Sequence, residues 1–327
     1  MSTVQTARGP IDSADLGPTL MHEHIFVLTP DVQQNYPQEW GAEDERIADA
    51  VGRLTEVAAL GVQTIVDPTV VGLGRYLPRI AKVAEQVDLN IVVATGLYTY
   101  NDVPFFFHHR GPALTEAVGA EVPDPMVDMF VGDIRDGVAG TSIQAGLLKC
   151  AIDDQGMTPG VERVMRAVAL AHQETGTPIT VHTHPGSQQG LAVKKVLEAE
   201  GVDLRRVVLG HSGDSTDADH LSELAEAGFV LGMDRFGINL ETTFEARADI
   251  VVEMCRRGYA EAMVLSQDAA CYIDWIDPGV MALLPQWRYT HIHEEVLPYL
   301  LEHGVTQDQV DAMLVANPRR YFEGATA

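Results

Sequence analysis

The sequence predicts a single (β/α)₈ barrel, a TIM barrel, that spans residues 1–327. Eight short apolar runs rich in β-branched residues recur along the chain, and helical periodicity separates most of them. Their near-continuous hydrophobicity is typical of parallel strands that are covered on both faces. No linker, low-complexity tract or longer repeat divides the chain. Because α/β barrels of this length often form one domain, alternation of eight strands with helices favours a barrel over an open sheet.

The elements follow in order along the chain. The predicted strands cover 19–27, 62–70, 90–98, 145–152, 178–184, 206–212, 228–236 and 262–269. The predicted helices cover 45–61, 77–88, 163–176, 189–200, 217–227 and 245–258, with a closing pair near 290–317. Helices 45–61 and 163–176 each end at a glycine, the residue that most readily adopts the left-handed conformation of a C-terminal cap.

Three longer connections follow predicted strands, at 100–120, 236–246 and 270–290. They are therefore expected at the C-terminal mouth of the barrel, where such enzymes carry their active sites. Each is rich in aromatic or apolar residues, which suits a substrate of apolar character. The alternative is that these long loops simply pack on one another.

Composition excludes several classes of partner. Lys and Arg total 22 against 47 Asp and Glu, a formal net charge of −25 that repels phosphate backbones and anionic lipid. We expect no nucleic-acid or membrane partner, because no run approaches the roughly 18 apolar residues of a membrane span. Cys150, Cys255 and Cys271 form no C-x-x-C pattern and predict free thiols in a reducing compartment. With no secretory signal, the expectation is a soluble cytoplasmic protein.

The first predicted strand contains the motif His22-Glu23-His24. Side chains two apart on a strand share a face, so both imidazoles point into the barrel while Glu23 points outward. Two imidazoles aimed at one point form half of a metal site. His291 and His293 have the same spacing, but they lie in a helical pattern where the two side chains diverge, and we interpret them as structural.

Further ligand-type residues stand at the ends of other predicted strands. His182 ends the fifth strand, His211 the sixth and Asp268 the eighth. Each alone is more often a hydrogen-bonded core residue than a ligand. Because the carboxyl ends of barrel strands converge on one mouth, the set predicts a metal centre.

Lys149 lies in the apolar run GLLKCAI (146–152). An ammonium group is costly to bury, and burial lowers the pKa of a lysine toward a neutral, nucleophilic amine. Such an amine can take up carbon dioxide to form a carbamate, whose two oxygens suit a bridge between two cations. The alternative is a lysine that reaches the mouth and pairs with Asp268.

The ordered set of H-x-H, Lys, His, His and Asp resembles the amidohydrolase superfamily. Within it, the chain is similar to the phosphotriesterase family, particularly the phosphotriesterase-like lactonases, essentially from end to end. The blocks that carry the resemblance are RGPI (8–11), LMHEHIF (20–26), IVDPTVVGLGR (65–75), VATGLYTYNDVPFF (93–106), LLKCA (147–151), GHSGD (210–214), GMDRFG (232–237) and NPRRYF (317–322). Gln267 departs from the pattern, since His or Asn is usual before the metal-binding Asp.

The resemblance implies a role for each matched residue. His22, His24 and Asp268 would hold one divalent ion, and His182 and His211 a second. Carboxylated Lys149 and a hydroxide would bridge the two ions, with zinc as the first choice and cobalt, manganese or iron as alternatives. The hydroxide would attack the substrate, and Asp268 would accept its proton and pass it to the leaving group.

Six further residues enter through the same resemblance or through the loops. Tyr98 and Arg235 would contact a lactone ring, unless they are a core-edge tyrosine and a structural ion pair with Asp234 or another acid. Residues that would line a channel for an acyl chain are Phe105, Phe106 and Trp275. His184 shares a face with His182, and we expect it to support the site rather than to ligate.

The resemblance implies a lactonase that hydrolyses N-acyl homoserine lactones, a quorum-quenching activity, with promiscuous organophosphate triesterase activity. An organophosphate triesterase proper is the nearest alternative. A mononuclear deaminase would not need Lys149, and a catalytically silent metal-binding barrel would not need the whole ligand set. The partner is expected to be a small lactone or ester, and the assembly a homodimer.

Overall fold

A computed structural model of the chain describes residues 2–324, apart from residues 185, 187 and 241. The strands are β1 (Thr3–Thr6), β2 (Gly9–Asp12), β3 (Thr19–Leu20), β4 (His24–Val27), β5 (Thr64–Asp67), β6 (Asn90–Gly96), β7 (Leu147–Ala151), β8 (Ile179–His182), β9 (Val207–Gly210), β10 (Val230–Met233), β11 (Met263–Leu265) and β12 (Ala270–Ile273). The α-helices are α1 (Pro30–Asn35), α2 (Glu43–Ala59), α3 (Leu77–Ala84), α4 (Thr115–Val118), α5 (Pro125–Arg135), α6 (Pro159–Thr175), α7 (Gly190–Ala199), α8 (Ala218–Glu226), α9 (Phe244–Arg256), α10 (Pro278–Met281), α11 (Leu297–Glu302), α12 (Gln307–Asp311) and α13 (Asn317–Glu323). Two π-helical turns, Ile292–Val296 and Ala312–Ala316, precede α11 and α13.

Eight strands form one sheet whose neighbours are all parallel and follow chain order, β3 followed by β5 to β11. Past the ends of the first and last strands, the Asp268 N–H donates to the His22 carbonyl at 3.0 Å. The His24 N–H donates to the Ala269 carbonyl at 2.8 Å and continues the closure. The sheet is therefore a nearly closed (β/α)₈ barrel, and the predicted fold class is confirmed.

The prediction of one continuous strand over 19–27 was wrong. The chain pairs with β5 along β3, breaks at residues 21–23, and pairs as β4 with β12. His22 lies in the break because its N–H donates to the Ser266 hydroxyl, at 2.8 Å, rather than to a strand carbonyl. Strand β12 itself lies within 270–290, which the sequence predicted as a loop.

Further elements were missed, among them helix α5 and the hairpin β1–β2, and the short helices α1, α4 and α10 also have no predicted counterpart. Helix α5 lies in the connection between β6 and β7, where Asp124 caps its first turn by accepting the Met126 N–H and Pro125 occupies the first helical position. The hairpin β1–β2 precedes the barrel.

Two other expectations hold. Gly176 caps α6 with a left-handed φ of 71°, and all three cysteines are free and buried.

The barrel interior is a packed core and not a pore. Buried apolar side chains fill it, among them Met21, Val66, Val92, Leu147, Val208 and Val264. A larger layer of apolar side chains lies between the sheet and the helices. Space for a ligand therefore remains only at the ends of the barrel. Among the described helices, none has the length and apolar character needed to cross a membrane.

Candidate metal centre and active-site cavity

A cavity of about 250 Å³ lies at the C-terminal mouth of the barrel. All eight side chains predicted as metal ligands or as catalytic residues line it. They are His22, His24, Tyr98, Lys149, His182, His211, Arg235 and Asp268. The structure thus brings these eight together, while the role of each residue stays a prediction.

The polar bottom of the cavity, which we call the floor, has two halves. One half consists of His22, His24 and Asp268. Asp268 Oδ1 lies 3.5 Å from His22 Nε2 and 3.3 Å from His24 Nε2. One ligand atom from each residue falls within 4.8 Å of the others, which is the spacing of a cation site. The strand break at His22 therefore does not separate the two histidines of the motif.

The other half of the floor consists of His182 and His211. His182 Nε2–H donates to Asp153 Oδ2 at 2.6 Å, and His211 Nδ1–H donates to Asp234 Oδ1 at 3.0 Å. Their remaining ring nitrogens face each other at 2.8 Å, each with a lone pair and no proton to share. Two opposed lone pairs repel unless a cation lies between or beside them, so this donor set fits a metal ion.

Lys149 lies under the same floor, on β7. Its side chain is 1% exposed, and Nζ has no hydrogen-bond partner among the described residues. The alternative of a hydrogen-bonded pair with Asp268 is therefore not what the structure contains. Burial lowers the pKa of Lys149 to about 8, against the attraction of Asp268 and Asp234. A buried amine without a partner fits the bridging group that the sequence predicts.

Burial and hydrogen-bond partners shift the pKa values of the four histidines. Burial lowers the pKa of His22 and His211, and it lowers the pKa of His182 to about 4. These shifts favour the neutral ring, the form that binds metal. Burial also acts on His24, but hydrogen bonding to Asp268 and Asp67 prevails and raises its pKa to about 9.

Several carboxylates that orient the ligands were not predicted as site residues. Asp234 accepts His22 Nδ1–H at 3.0 Å and also holds the ring and backbone N–H of His211, at 3.0 and 2.7 Å. One carboxylate therefore orients a ligand in each half of the floor. Such partners fix which ring nitrogen faces a metal.

The remaining rings have partners of their own. His24 Nδ1 lies 2.7 Å from the Thr69 hydroxyl, which donates to Asp67 at 2.5 Å. The carboxylate partner of His182 is Asp153. The available signal was an acidic residue at or just after three predicted strands, in IVDPT, AIDD and GMDRF. The sequence analysis considered only Asp234 among these, as a partner of Arg235.

Of the acids considered as partners of Arg235, the structure pairs it with Asp268 and Asp214 and not with Asp234. Nε donates to Asp268 Oδ2 at 3.2 Å and Nη1 donates to Asp214 Oδ2 at 3.2 Å, whereas Asp234 is occupied by the histidines. Arg247 holds the other oxygen of Asp214 at 2.6 Å. Burial raises the pKa of Asp268, but the electrostatic effect of His22 and the hydrogen bond to His24 prevail and hold it well below its ordinary value.

Tyr98 stands over the second half of the floor. Its hydroxyl lies 2.5 Å from the Tyr100 hydroxyl and 3.2 Å from His182 Nδ1. Burial and the neighbouring Tyr100 raise the pKa of Tyr98 well above its ordinary value, so it remains a neutral hydrogen-bonding group.

The cavity rim is largely apolar. Its apolar and aromatic lining residues are Val27, Leu73, Ile238, Leu240, Ile273, Trp275, Ile276 and Trp287. Trp275 meets the expectation of a channel residue. Phe105 and Phe106 do not, because they are 77% and 51% exposed on the surface and are not among the lining residues.

Four other residues singled out in the sequence lie elsewhere. Gln267 turns its amide toward the Tyr289 carbonyl at 2.5 Å. His184 lines a separate, smaller pocket, and His291 and His293 lie at the π-helical turn before α11. None of the three histidines is among the residues that line the cavity.

An α/β barrel that gathers histidines, an aspartate and a buried lysine at its mouth has the architecture of a metal-dependent hydrolase. A sequence model described as "Phosphotriesterase family" matches residues 2–322, and the chain belongs to this family. Members are hydrolases that use a pair of metal ions and act on ester or amide bonds, so the chain is an enzyme of that class.

Individual relatives agree over the full length of the chain. A "phosphotriesterase homology protein" of Mycobacterium tuberculosis is 58% identical over 326 residues, 99% of this chain and 98% of the relative. An "aryldialkylphosphatase" of Saccharolobus solfataricus is 36% identical over 315 residues, 95% and 96% of the two chains. The solved structure of the phosphotriesterase from Mycobacterium tuberculosis superimposes with a TM-score of 0.94 at 58% identity, covering 98% of each chain.

Proposed function

We propose that this protein is a metal-dependent lactonase whose substrates are N-acyl homoserine lactones and related lactones. The observation that carries the proposal is the division of one cavity into a polar floor and an apolar rim. A lactone with an acyl chain has the same division, with a polar ring and a greasy tail. Quorum quenching would be the biological consequence of that activity.

Two divalent ions fit the floor. His22, His24 and Asp268 would hold one of them, and His182 and His211 the other, with zinc as the first choice for this mixture of nitrogen and oxygen donors. Bound there, the ions would lower the pKa of water and polarise the ester oxygen. Lys149, as a carbamate formed from its neutral amine and carbon dioxide with release of a proton, would place one oxygen toward each half.

Asp268 is suited to handle the proton. Its Oδ1 faces His22 and His24, whereas its Oδ2 faces the cavity and Arg235. One oxygen can therefore remain with the floor while the other takes a proton from the attacking water and passes it to the leaving alkoxide. Arg235 is always charged, so its part is to hold Oδ2 in place and to draw a substrate carbonyl toward the floor.

Phosphotriester hydrolysis is the second candidate, because the Saccharolobus solfataricus relative is named aryldialkylphosphatase. Hydrolysis of a phosphotriester and of a lactone both need an activated water and a stabilised oxyanion. The rim does not exclude an aryl ester. We place this activity second because an apolar groove with Arg235 and Tyr98 at its base matches a ring ester with a long tail.

The test is a direct comparison on one zinc- or cobalt-loaded preparation. Lactones with graded acyl chains are followed with a pH indicator, and paraoxon is followed by release of nitrophenol. We expect kcat/KM for the best lactone to exceed that for paraoxon by at least about tenfold, or roughly 1.4 kcal/mol. A higher kcat/KM for paraoxon than for every lactone would establish a phosphotriesterase. If the metal-loaded protein hydrolyses neither substrate, a catalytically silent metal-binding barrel would be favoured.

A further inference from the structure

The side chain of Glu23, between the two histidines of the motif, reaches the segment that carries Asp268. The side chain is fully buried. Its Oε1 accepts hydrogen bonds from the Ser266 hydroxyl and the Gln267 N–H, both at 2.8 Å, and its Oε2 accepts the Ala269 N–H at 3.0 Å. The expectation that Glu23 points away from the cavity holds, but its target is the backbone of the eighth strand.

Asp268 itself has an unusual backbone. Its φ is 53°, in the left-handed region that a non-glycine residue adopts at a cost of about 1–2 kcal/mol. Such a conformation persists only where its surroundings enforce it. Successive N–H groups around a left-handed residue form a concave site for an anion, and here the Glu23 carboxylate takes the N–H groups on both sides of Asp268.

The ladder with β10 does not hold the backbone around Asp268, because strand β11 ends at Leu265 and the segment 266–269 lies beyond it. Three hydrogen bonds join this segment to residues 22–24: the Asp268 N–H donates to the His22 carbonyl, the His24 N–H to the Ala269 carbonyl, and the His22 N–H to Ser266 Oγ. Glu23 adds three hydrogen bonds across the same seam. The three ligands of one half of the floor are therefore tied together by groups of residues 22–24 and 266–269.

We propose that Glu23 is a positioning residue of the metal centre: its carboxylate holds the backbone around Asp268 so that Oδ1 lies between His22 and His24. The proposal rests on the metal centre proposed above. All three groups that contact the carboxylate are hydrogen-bond donors, so both of its oxygens serve as acceptors. An amide in its place would turn an –NH₂ group toward an N–H or O–H donor, so Gln cannot substitute for Glu.

The test is Glu23→Gln, with metal binding as the readout. Zn²⁺ affinity is measured against a competing chelator, and the visible absorption of the Co²⁺-loaded protein reports ligand geometry. We expect affinity about 10- to 100-fold weaker and an altered Co²⁺ spectrum. The matched control is Asp133→Asn, which removes a carboxylate that holds Arg75 and Thr95 outside the cavity. This control should lower Tm and leave both metal readouts unchanged.

A second variant tests the same proposal if Glu23→Gln does not fold. Ser266→Ala removes one donor to Glu23 together with the acceptor of the His22 N–H, and we expect weaker Zn²⁺ binding by a few-fold, in the same direction. Wild-type affinity and an unaltered Co²⁺ spectrum in Glu23→Gln would overturn the proposal, as would a Glu23→Gln that matches Asp133→Asn in every readout. A wild-type protein that binds no divalent ion would instead refute the metal centre, and this role with it.

Discussion

The floor and the rim of the cavity are built on different principles. On the floor, nearly every polar atom has a defined partner, and His22, His182 and His211 are at most 3% exposed. On the rim, the apolar side chains of Leu240 and Trp275 are 62% and 45% exposed. The difference indicates that the floor fixes the class of reaction, whereas the rim selects the substrate and can change without altering the chemistry.

The largest effect is expected at the floor, for Lys149→Ala. Loss of the bridging group should reduce kcat/KM by about 1000-fold or more, because a metal pair contributes several kcal/mol to the transition state. Metal analysis should find less than the wild-type content. Added short-chain carboxylates should restore part of the activity, since they can occupy the vacated position. Full activity in the variant would remove Lys149 from the mechanism.

Arg235→Met is expected to have the next largest effect. It removes charged hydrogen bonds to Asp268 and Asp214, and we expect kcat/KM for lactones to fall by about 100-fold, in line with 1.5–3 kcal/mol for such bonds. Metal content should be unchanged because Arg235 bonds to Asp268 Oδ2 and not to Oδ1, the oxygen that faces His22 and His24. Arg135→Met is the matched control, since that arginine pairs with Glu174 at the surface. A fall in metal content with kcat retained would make Arg235 a structural ion pair.

Asp234 and Asp153 bond to different histidines of the floor, which allows the two halves to be tested separately. Asp234 serves His22 and His211, one in each half, whereas Asp153 serves His182 alone. We expect Asp234→Asn to weaken both metal-binding steps by about 10- to 100-fold, and Asp153→Asn to weaken only one. Titration of the apoprotein with Zn²⁺ separates the two patterns. Identical titrations of the two variants would show that the halves do not form separate sites.

The floor was largely predictable from sequence because strand periodicity fixes where a ligand points. His182 and His211, at the ends of β8 and β9, needed only the rule that barrel strands present their carboxyl ends to one mouth. Lys149 was detectable because an amine within an apolar run is out of place.

The other features of the site depend on tertiary contacts that hydrophobic periodicity does not encode. The break at His22 arises because the chain pairs with β5 before it and with β12 after it, as β3 and β4 respectively. This change of partner depends on tertiary contacts. The partner of Arg235 depended on which acid the histidines had already taken, since Asp234 adjoins it in sequence but is bound to them. Phe105 and Trp275 are equally aromatic loop residues, and only the loop path separates them.

That last pair gives the smallest predicted effect and the sharpest test of the rim. Trp275 lines the cavity and lies with its ring 5.8 Å from that of Tyr98, whereas Phe105 is 77% exposed on the surface. Trp275→Ala should raise KM for long-chain lactones by roughly tenfold, because each buried methylene is worth about 0.8 kcal/mol. Short-chain lactones and kcat should be little affected.

Phe105→Ala is the matched aromatic control, with an expected change below about twofold for every chain length, as for surface substitutions that touch no ligand. Steady-state kinetics over the same graded series measures both variants. If Phe105→Ala changes the chain-length preference and Trp275→Ala does not, the acyl chain leaves the cavity along the loop 100–120 instead. If Trp275→Ala lowers kcat equally for all chain lengths, the rim contributes to the chemistry, and the division between floor and rim fails.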